Sequence, residues 1–332
     1  MKKCAFAIIS VVMLAVMLSC EHKELYNGIP HVVNARVIFD WQKAPDANPA
    51  SMSLYLFPVG GGEVVRYDFT DRKGGTFRVS NGAYSVLCLN SDTENIRYLN
   101  TRQRETFCVT TREATLTSGY AFMNMMDVKN MHGSGAVESE PIMLPPDMIW
   151  SDYIVHVELT QKQLQTITLY PKVSVCRYSI EIRNAENLKY VSGISGVLSS
   201  LASGLFAGRE ETTDERVTIP FDGVISDNKT IVTGELLTFG QCHSKRNMHH
   251  LTVCAVLSDG SEWKHTYDVT EQVHTAPDPR NVHILLYGLP VPKPIANGGG
   301  FRPNVSEWET EEENIETVSY THLRAHETLR HL

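Results

Sequence analysis

Apolar and polar residues alternate along most of this chain, and no long stretch repeats its apolar residues at the 3.6-residue spacing of a helix. Val33, Ala35, Val37 and Phe39 form the first such series, and each is separated from the next by one residue of the opposite face. Strands that bury one face show this pattern. The sequence therefore predicts an all-β fold.

Glycine-containing turns separate the predicted strands at short intervals. A triple glycine at residues 60–62 follows one strand, and Asn81-Gly82 and Asp259-Gly260 are dipeptides typical of tight β-hairpins. The small-residue segment 193–208 is compatible with a short helix or a bulged strand, and the pattern alone does not choose between them. Many short strands with frequent turns favour sandwich architectures.

A chain of 332 residues is long enough for about two domains. The strand series divides into two β-sandwich domains of similar size, residues 30–163 and residues 164–306. Residues 123–146 are rich in glycine, methionine and proline, interrupt the alternation, and are predicted to form a long excursion from the first domain.

The beginning of the chain is predicted to be a targeting segment. Residues 1–19 contain two lysines followed by an apolar run too short for a comfortable membrane span. The run ends in Met17-Leu18-Ser19-Cys20, which resembles a bacterial lipobox, so Cys20 is the predicted lipidation site and residues 20–29 the tether. Acidic residues just after Cys20 resemble the surface-export signal of Bacteroidales lipoproteins. We therefore expect an outer-membrane lipid as partner and an outer-membrane location, at the cell surface.

The end of the chain is predicted to contain two segments outside the folded domains. Residues 307–317 are predicted to be a solvated acidic tail. A valid coding sequence for residues 318–328 resembles a sequencing adapter, so residues 318–332 are interpreted as an adapter artefact and left out of the fold prediction.

Charge and cysteine content argue against several classes of protein. A formal net charge of −8 argues against a strongly basic nucleic-acid binder, so no nucleic-acid partner is expected. Beyond Cys20 five cysteines remain, an odd number without a Cys-x-x-Cys pair, and they sit in apolar runs typical of buried thiols. Their disulfide pairing is not predictable. Cys242-His243 and His249-His250 lack a recognised zinc spacing, so we expect no metal and no cofactor.

Catalytic motifs are not found. The sequence has no nucleophile elbow, His-Glu-x-x-His motif, phosphate loop or dinucleotide fingerprint, and we expect no enzymatic activity. Trp41, Trp150 and Trp263 are candidates for stacking on sugar rings, although core or edge packing is the more common role of tryptophan. A glycan- or ligand-binding surface lipoprotein is thus the alternative function.

Several blocks of sequence together resemble the Bacteroidales fimbrillin-like lipoproteins, a family related to major and minor fimbrial subunits. Besides the lipobox, they are Phe39-Asp40-Trp41, Met52-Ser53-Leu54-Tyr55-Leu56-Phe57-Pro58, Arg66-Tyr67-Asp68-Phe69, Leu144-Pro145-Pro146-Asp147-Met148, Cys176-Arg177-Tyr178-Ser179-Ile180, and Ala276-Pro277-Asp278-Pro279-Arg280-Asn281. The resemblance implies two tandem transthyretin-like β-sandwich domains after a lipoprotein signal peptide. It also implies a surface structural or adhesive role as a pilus subunit or pilus-associated component.

In that pilus class, the resemblance implies that a protease cuts after a basic residue and removes the first strand, and that a neighbouring subunit then donates a strand to the groove. Arg36, within the first predicted strand, is the candidate cut site. The acidic segment 301–315 is a poor donor strand. Polymerisation through other pilus subunits and a lipid-anchored accessory role both stay open.

Overall fold

The structure is a computed structural model and describes residues 32–114, 140–161, 164–243 and 246–294. Nineteen strands run through these ranges with one short α-helix, α1 (Thr270–His274), and short 3-10 turns, so the all-β prediction is confirmed. The first ten strands are β1 (Val32–Phe39), β2 (Met52–Pro58), β3 (Val65–Phe69), β4 (Gly74–Ser80), β5 (Gly82–Asn90), β6 (Ile96–Leu99), β7 (Cys108–Thr111), β8 (Trp150–Leu159), β9 (Gln165–Leu169) and β10 (Lys172–Val173). The other nine are β11 (Cys176–Ala185), β12 (Val191–Ala202), β13 (Gly204–Phe206), β14 (Glu211–Thr212), β15 (Arg216–Ile225), β16 (Val232–Thr238), β17 (His250–Leu257), β18 (Glu262–Asp268) and β19 (Asn281–Leu289).

The first half of the chain forms two sheets around one core. A three-stranded sheet has the order β4-β1-β9, and a five-stranded sheet has the order β10-β8-β5-β2-β3. Buried side chains from both sheets meet in a single apolar cluster, which includes Val37, Leu54, Phe77, Val86 and Ile167. Burial of this apolar area stabilises the pairing of the two layers.

β2 and β5 are buried on both faces, which explains their nearly continuous apolar sequences. Leu54 and Leu56 face the core of the first half, whereas Tyr55 and Phe57 belong to a second apolar cluster shared with the other half of the chain. The five-stranded sheet is therefore an inner layer with protein on either side.

The Asn81-Gly82 hairpin prediction is wrong. β4 pairs with β1, whereas β5 pairs with β2 and β8, so the chain crosses from one sheet to the other at this dipeptide. The local signal identifies a turn, but the alternating burial of β4 and the two-sided burial of β5 place the strands in different layers. Asp259-Gly260 does form the predicted hairpin between β17 and β18, with Gly260 at φ +82°.

The second half of the chain forms a seven-stranded sheet of order β18-β17-β12-β15-β16-β11-β19 around its own apolar core. Residues 193–206 of this segment lie almost entirely in β12 and β13, and residues 207–208 begin a turn, so the bulged-strand alternative is the correct one. The irregularity falls between Leu198 and Leu201, where the register with β15 shifts and Ser200 has φ +63°.

A buried carboxylate fixes this bulge. Glu140 accepts hydrogen bonds from the Ser200 backbone N–H at 2.8 Å, from Ser200 Oγ at 2.9 Å and from Thr218 Oγ1 at 3.1 Å. The next residues form a parallel bridge in which Ile142 pairs with Thr218. Of the predicted excursion, residues 123–139 lie outside the described ranges, and its end is attached to β12 and β15.

Both halves contribute strands to one further sheet. Its order is β14-β13-β7-β6, so β6 and β7 of the first half pair with β13 and β14 of the second. Arg104, buried beside this sheet, donates to the Gly208 carbonyl oxygen and lies 4.9 Å from the Tyr153 ring centre. The junction between the two halves of the chain thus consists of backbone pairing between β7 and β13 and of the buried Arg104 guanidinium.

Strand pairing bears on the predicted division at residues 163/164. β9 and β10 follow that point, yet they pair with β1 and β8 of the first half. β11 pairs with β16 and β19 of the second half. Judged by strand pairing, the boundary between the first and second halves of the chain falls between Val173 and Cys176. The division into two tandem transthyretin-like domains stays a prediction.

The five cysteines in the described ranges are free thiols. Burial raises the pKa of Cys108, Cys176 and Cys254 to about 11, and burial also raises the pKa of Cys88 and Cys242. They act as small apolar side chains of the core, as their sequence contexts suggest.

Candidate functional site: the first strand and its two neighbours

β1 is the middle strand of its sheet. It pairs antiparallel with β4, from Val32 opposite Ser80 to Ile38 opposite Gly74. On its other side it pairs parallel with β9, from Ala35 to Phe39. Both edges of the strand are therefore hydrogen-bonded, and β4 and β9 do not pair with each other.

One face of β1 is sealed in the core. Ala35 and Val37 are fully buried, and Val33 and Phe39 are 4% and 2% exposed. Asn34 and Arg36 lie on the solvent side. Without β1, the sheet would lose its central strand and the core of the first half would be open along a groove between β4 and β9. The alternating pockets of such a groove would select an extended segment with apolar residues at every second position.

β1 fits closely against the start of β4. Gly74 has φ +97°, and a Cβ atom there would lie 2.2 Å from the Val37 carbonyl oxygen. Glycine is required at this position for both its backbone conformation and its lack of a side chain.

The end of β1 is fastened by a turn at residues 40–43. The Asp40 N–H donates to the Leu169 carbonyl oxygen at 2.8 Å, and the Asp40 carboxylate accepts from the Gln42 N–H at 3.1 Å. Trp41 Nε1 donates to the Arg72 carbonyl oxygen at 2.7 Å, and the Arg72 guanidinium lies 5.2 Å from the indole centre. The chain after β1 is consequently held to β9 on one side and to the turn before β4 on the other.

Side-chain hydrogen bonds bridge the two sheets at their margins. Tyr67 of β3 donates its hydroxyl to the Arg78 carbonyl oxygen of β4, and burial raises the pKa of Tyr67. At the other margin, Gln165 Nε2 donates to the Glu158 carbonyl oxygen at 2.9 Å. These contacts keep the strands flanking β1 in place.

Arg36 lies at the centre of β1, where Thr76 and Thr166 are its partners in the neighbouring strands. Its side chain is exposed, but its backbone lies within a strand paired on both edges. Proteases bind substrates as extended chains with free backbone groups, so cleavage after Arg36 needs β1 to leave the sheet first. Processing at Arg36 stays a prediction.

Limited trypsin digestion of the folded protein should therefore cut at Arg102 before Arg36. Both arginine side chains are exposed, but Arg102 lies in a turn and Arg36 in the paired strand. Mass spectrometry of the early fragments provides the measurement, and Arg102 serves as the internal control. An early fragment beginning at Val37 would show that β1 detaches readily.

The three tryptophans proposed for sugar stacking occupy separate environments. Trp41 is 9% exposed, and its ring meets that of half-buried Trp150 edge-to-face, at 6.3 Å and 83°. Trp263 lies on β18, packs partly on the second core, and is parallel to the His265 ring at 5.7 Å. Trp41 and Trp150 do not present a coplanar surface, and a stacking role for any of the three stays a prediction.

Cys20, the predicted lipidation site, lies outside the described residues. Among the residues described, no helix has the length and apolarity to cross a membrane. Within the same ranges, no three histidine, cysteine or acidic side chains come together as a metal site.

His249 is fully buried near the Ser199 carbonyl oxygen, and burial lowers its pKa.

Several residues that shape this region were not identified from the sequence. β4 and β9, the walls of the β1 position, are distant in sequence from β1 and from each other. Arg104 and Glu140 are buried charges whose partners lie on other elements. Neither charge stands out in the sequence, because Arg104 lies between Gln103 and Glu105 and Glu140 lies between Ser139 and Pro141.

The fold is shared with a solved structure described as a "putative adhesin" from Bacteroides ovatus. That structure aligns with a TM-score of 0.60 and 20% identity, over 79% of this chain and 94% of the other. The family model "Domain of unknown function (DUF5119)" matches residues 19–222, and the chain belongs to that family.

Two further proteins to which this chain is similar carry names that refer to fimbriae. The Bacteroides ovatus protein "Putative fimbrium anchoring subunit Fim4B" is 22% identical over 91% of this chain and 95% of its own length. The fimbrial anchor protein Mfa2 from Porphyromonas gingivalis aligns at 11% identity over 77% of this chain and 90% of its own, with a TM-score of 0.47. The resemblance to fimbrillin-like proteins found in the sequence is confirmed at the level of family.

Proposed function

We propose that this protein is a non-enzymatic anchoring subunit of a fimbrium, held at the cell surface by acyl chains on Cys20 in the outer membrane. The proposal is supported by the named relative, which matches almost the whole chain and is described as a fimbrium anchoring subunit. The main structural support for an anchoring role is the position of β1 as a central strand that is paired on both edges.

The position of β1 bears on the choice between a polymerising subunit and an anchor. A subunit that accepts a donor strand must vacate the strand position that the donor fills. Here β1 fills the centre of its sheet, its side chains seal the core, and the turn at Asp40 and Trp41 fastens its end. A chain that keeps β1 also keeps the covalent connection from the sheet to Cys20. We propose that the mature protein retains residues 20–39 and so ties the pilus to the membrane.

The test is made in cells that assemble the fimbrium. A Cys20→Ala variant should release fimbriae into the medium while total fimbrial protein changes little, because acylation supplies the membrane attachment. Cys4→Ala, a cysteine change within the predicted leader, is the matched control and should leave fimbriae on cells. Electron microscopy and immunoblots of cells and medium measure the distribution.

Two results would contradict the proposal. Fimbriae that stay on cells in the Cys20→Ala variant would show that another component anchors them. Native protein recovered as a heat-labile ladder, with subunits that begin downstream of Cys20, would show a polymerising subunit. Mass spectrometry of the native N-terminus separates these results from simple loss of expression.

A further inference from the structure

The strand registers bring four segments together at one end of the first half of the chain. β1 begins there, with Val32 opposite the last residue of β4. β5 also begins there, and its first residue pairs with the last residue of β8. The end of β2 lies beside them, because the Val59 N–H donates to the Ala83 carbonyl oxygen at 2.9 Å. The predicted tether leads into β1 at this surface, which we call the tether end and which consists of Val32, residues 59–62, residues 80–82, residues 159–161 and Leu164.

Three large apolar side chains are exposed at the tether end. Val32, Val59 and Leu164 are 47%, 58% and 59% exposed, and they are three of eight such side chains in the described parts of the chain. Val32 lies on the outer face of β1, and Leu164 continues the parallel pairing of β9 to the position beside Asn34, on the same face. Single exposed apolar residues are ordinary, but several at one end of a domain indicate an interaction surface.

Val59 is presented by a short, fixed turn. The Gly61 N–H donates to the Pro58 carbonyl oxygen at 3.1 Å, which closes a β-turn with Val59 as its second residue. A Cβ atom at Gly60 or Gly61 would meet nothing within 4 Å, so the turn projects away from the sheets. Glycine, proline, asparagine, aspartate and serine are the usual turn residues, so turn formation does not account for an exposed valine at this tip.

The chain before Val32 indicates what this surface meets. Cys20 lies twelve residues before Val32, and a chain of that length spans at most about 40 Å when fully extended. Acyl chains on Cys20 would therefore hold the tether end close to the bilayer, at a high effective concentration.

Charge does not favour a particular headgroup at this surface. The charged residues that adjoin it, Glu63, Arg78 and Glu158, have both signs. Attraction to charged lipid headgroups would not hold such a surface on a membrane, whereas burial of apolar side chains in the interfacial layer would.

We propose that the tether end is a lipid-contact surface, and that Val32, Val59 and Leu164 enter the interfacial layer of the bilayer in which Cys20 is anchored. The inference rests on the proposed anchoring role. An acyl anchor alone fixes where the domain is but leaves it free to rotate. An apolar contact beside the tether also fixes its orientation, with the far end of β1 directed away from the membrane.

Spin labels test this in the native acylated chain, reconstituted in phosphatidylcholine vesicles. A label on Val59→Cys should collide with a water-soluble nickel chelate several-fold less often than a label on Val224→Cys, and more often with oxygen dissolved in the bilayer. Val224 is the matched position, because it is a valine 63% exposed on β15, outside the tether end. The unchanged protein gives the background labelling, since its five thiols in the described ranges are buried or half-buried.

A second label position is needed because a spin label is itself apolar. Asn81 lies in the exposed turn between β4 and β5, and a label on Asn81→Cys should also be shielded from nickel. It should become accessible when Val59 and Leu164 are both changed to Asp. Leu99→Asp with Val224→Asp, an exposed leucine and valine elsewhere, is the control pair and should leave the Asn81 label shielded. Circular dichroism verifies that each variant is folded.

The results separate this inference from the anchoring role on which it rests. Labels at residues 59 and 81 that meet nickel as often as the label at residue 224, in an acylated protein bound to vesicles, would overturn the lipid contact alone. A native chain that mass spectrometry finds without acyl chains on Cys20 would overturn both.

Discussion

Val37→Asp is expected to prevent stable folding of the first half of the chain. Val37 is fully buried at the centre of β1, and the carboxylate would face the apolar core with no described cation among the residues that pack there. Burying an unpaired carboxylate costs several kcal/mol even when it becomes protonated, which is comparable with the whole stability of an ordinary domain, about 5–15 kcal/mol. Urea unfolding followed by circular dichroism measures the effect.

Asn34→Asp is the matched control, since it places the same carboxylate on the exposed face of the same strand. It should change the free energy of unfolding by no more than about 0.5 kcal/mol. A Val37→Asp protein that unfolds at the same urea concentration as Asn34→Asp would mean that β1 contributes little to the core.

Gly208→Ala is expected to be the most damaging single-methyl change at the junction of the two halves. A Cβ atom at Gly208 would lie 2.1 Å from the Arg104 carbonyl oxygen and 2.6 Å from its Cγ. The nearest atom belongs to backbone that is itself part of the junction, so the clash cannot be relieved by a side-chain rotation alone. We expect a loss of about 3 kcal/mol in the free energy of unfolding, measured by urea or thermal denaturation.

Gly193→Ala is the control of identical chemistry, because a Cβ atom at Gly193 would meet nothing within 4 Å. Its effect should stay within about 1 kcal/mol and is expected to be stabilising, through the reduced entropy of the unfolded chain. Equal effects of the two substitutions would contradict the close packing of Arg104 against residue 208.

The sequence predicted strands where the pattern is local and failed where long-range pairing decides. Val33 to Phe39 alternate because one face of β1 is buried and the other exposed, and the strand forms as expected. Asn81-Gly82 has the chemistry of a hairpin turn, but the strands on either side belong to different sheets. Which strand pairs with which is set by the packing of whole layers, and no local residue pattern encodes it.

The candidate site was predictable only in part. Arg36 was placed correctly within the first strand, but the two strands that hold β1 come from residues 74–80 and 165–169.

The central position of β1 has a mechanical consequence. A tension applied through the residues before Val32 would act along the strand axis, parallel to β1. The seven residue pairs with β4 and the five with β9 would then be loaded together in shear, rather than opened one after another from an end. Sliding the strand would also draw Val33, Ala35, Val37 and Phe39 out of their core pockets at the same time. Extraction of β1 from its N-terminal end thus requires contacts on both edges and on its core face to break at once.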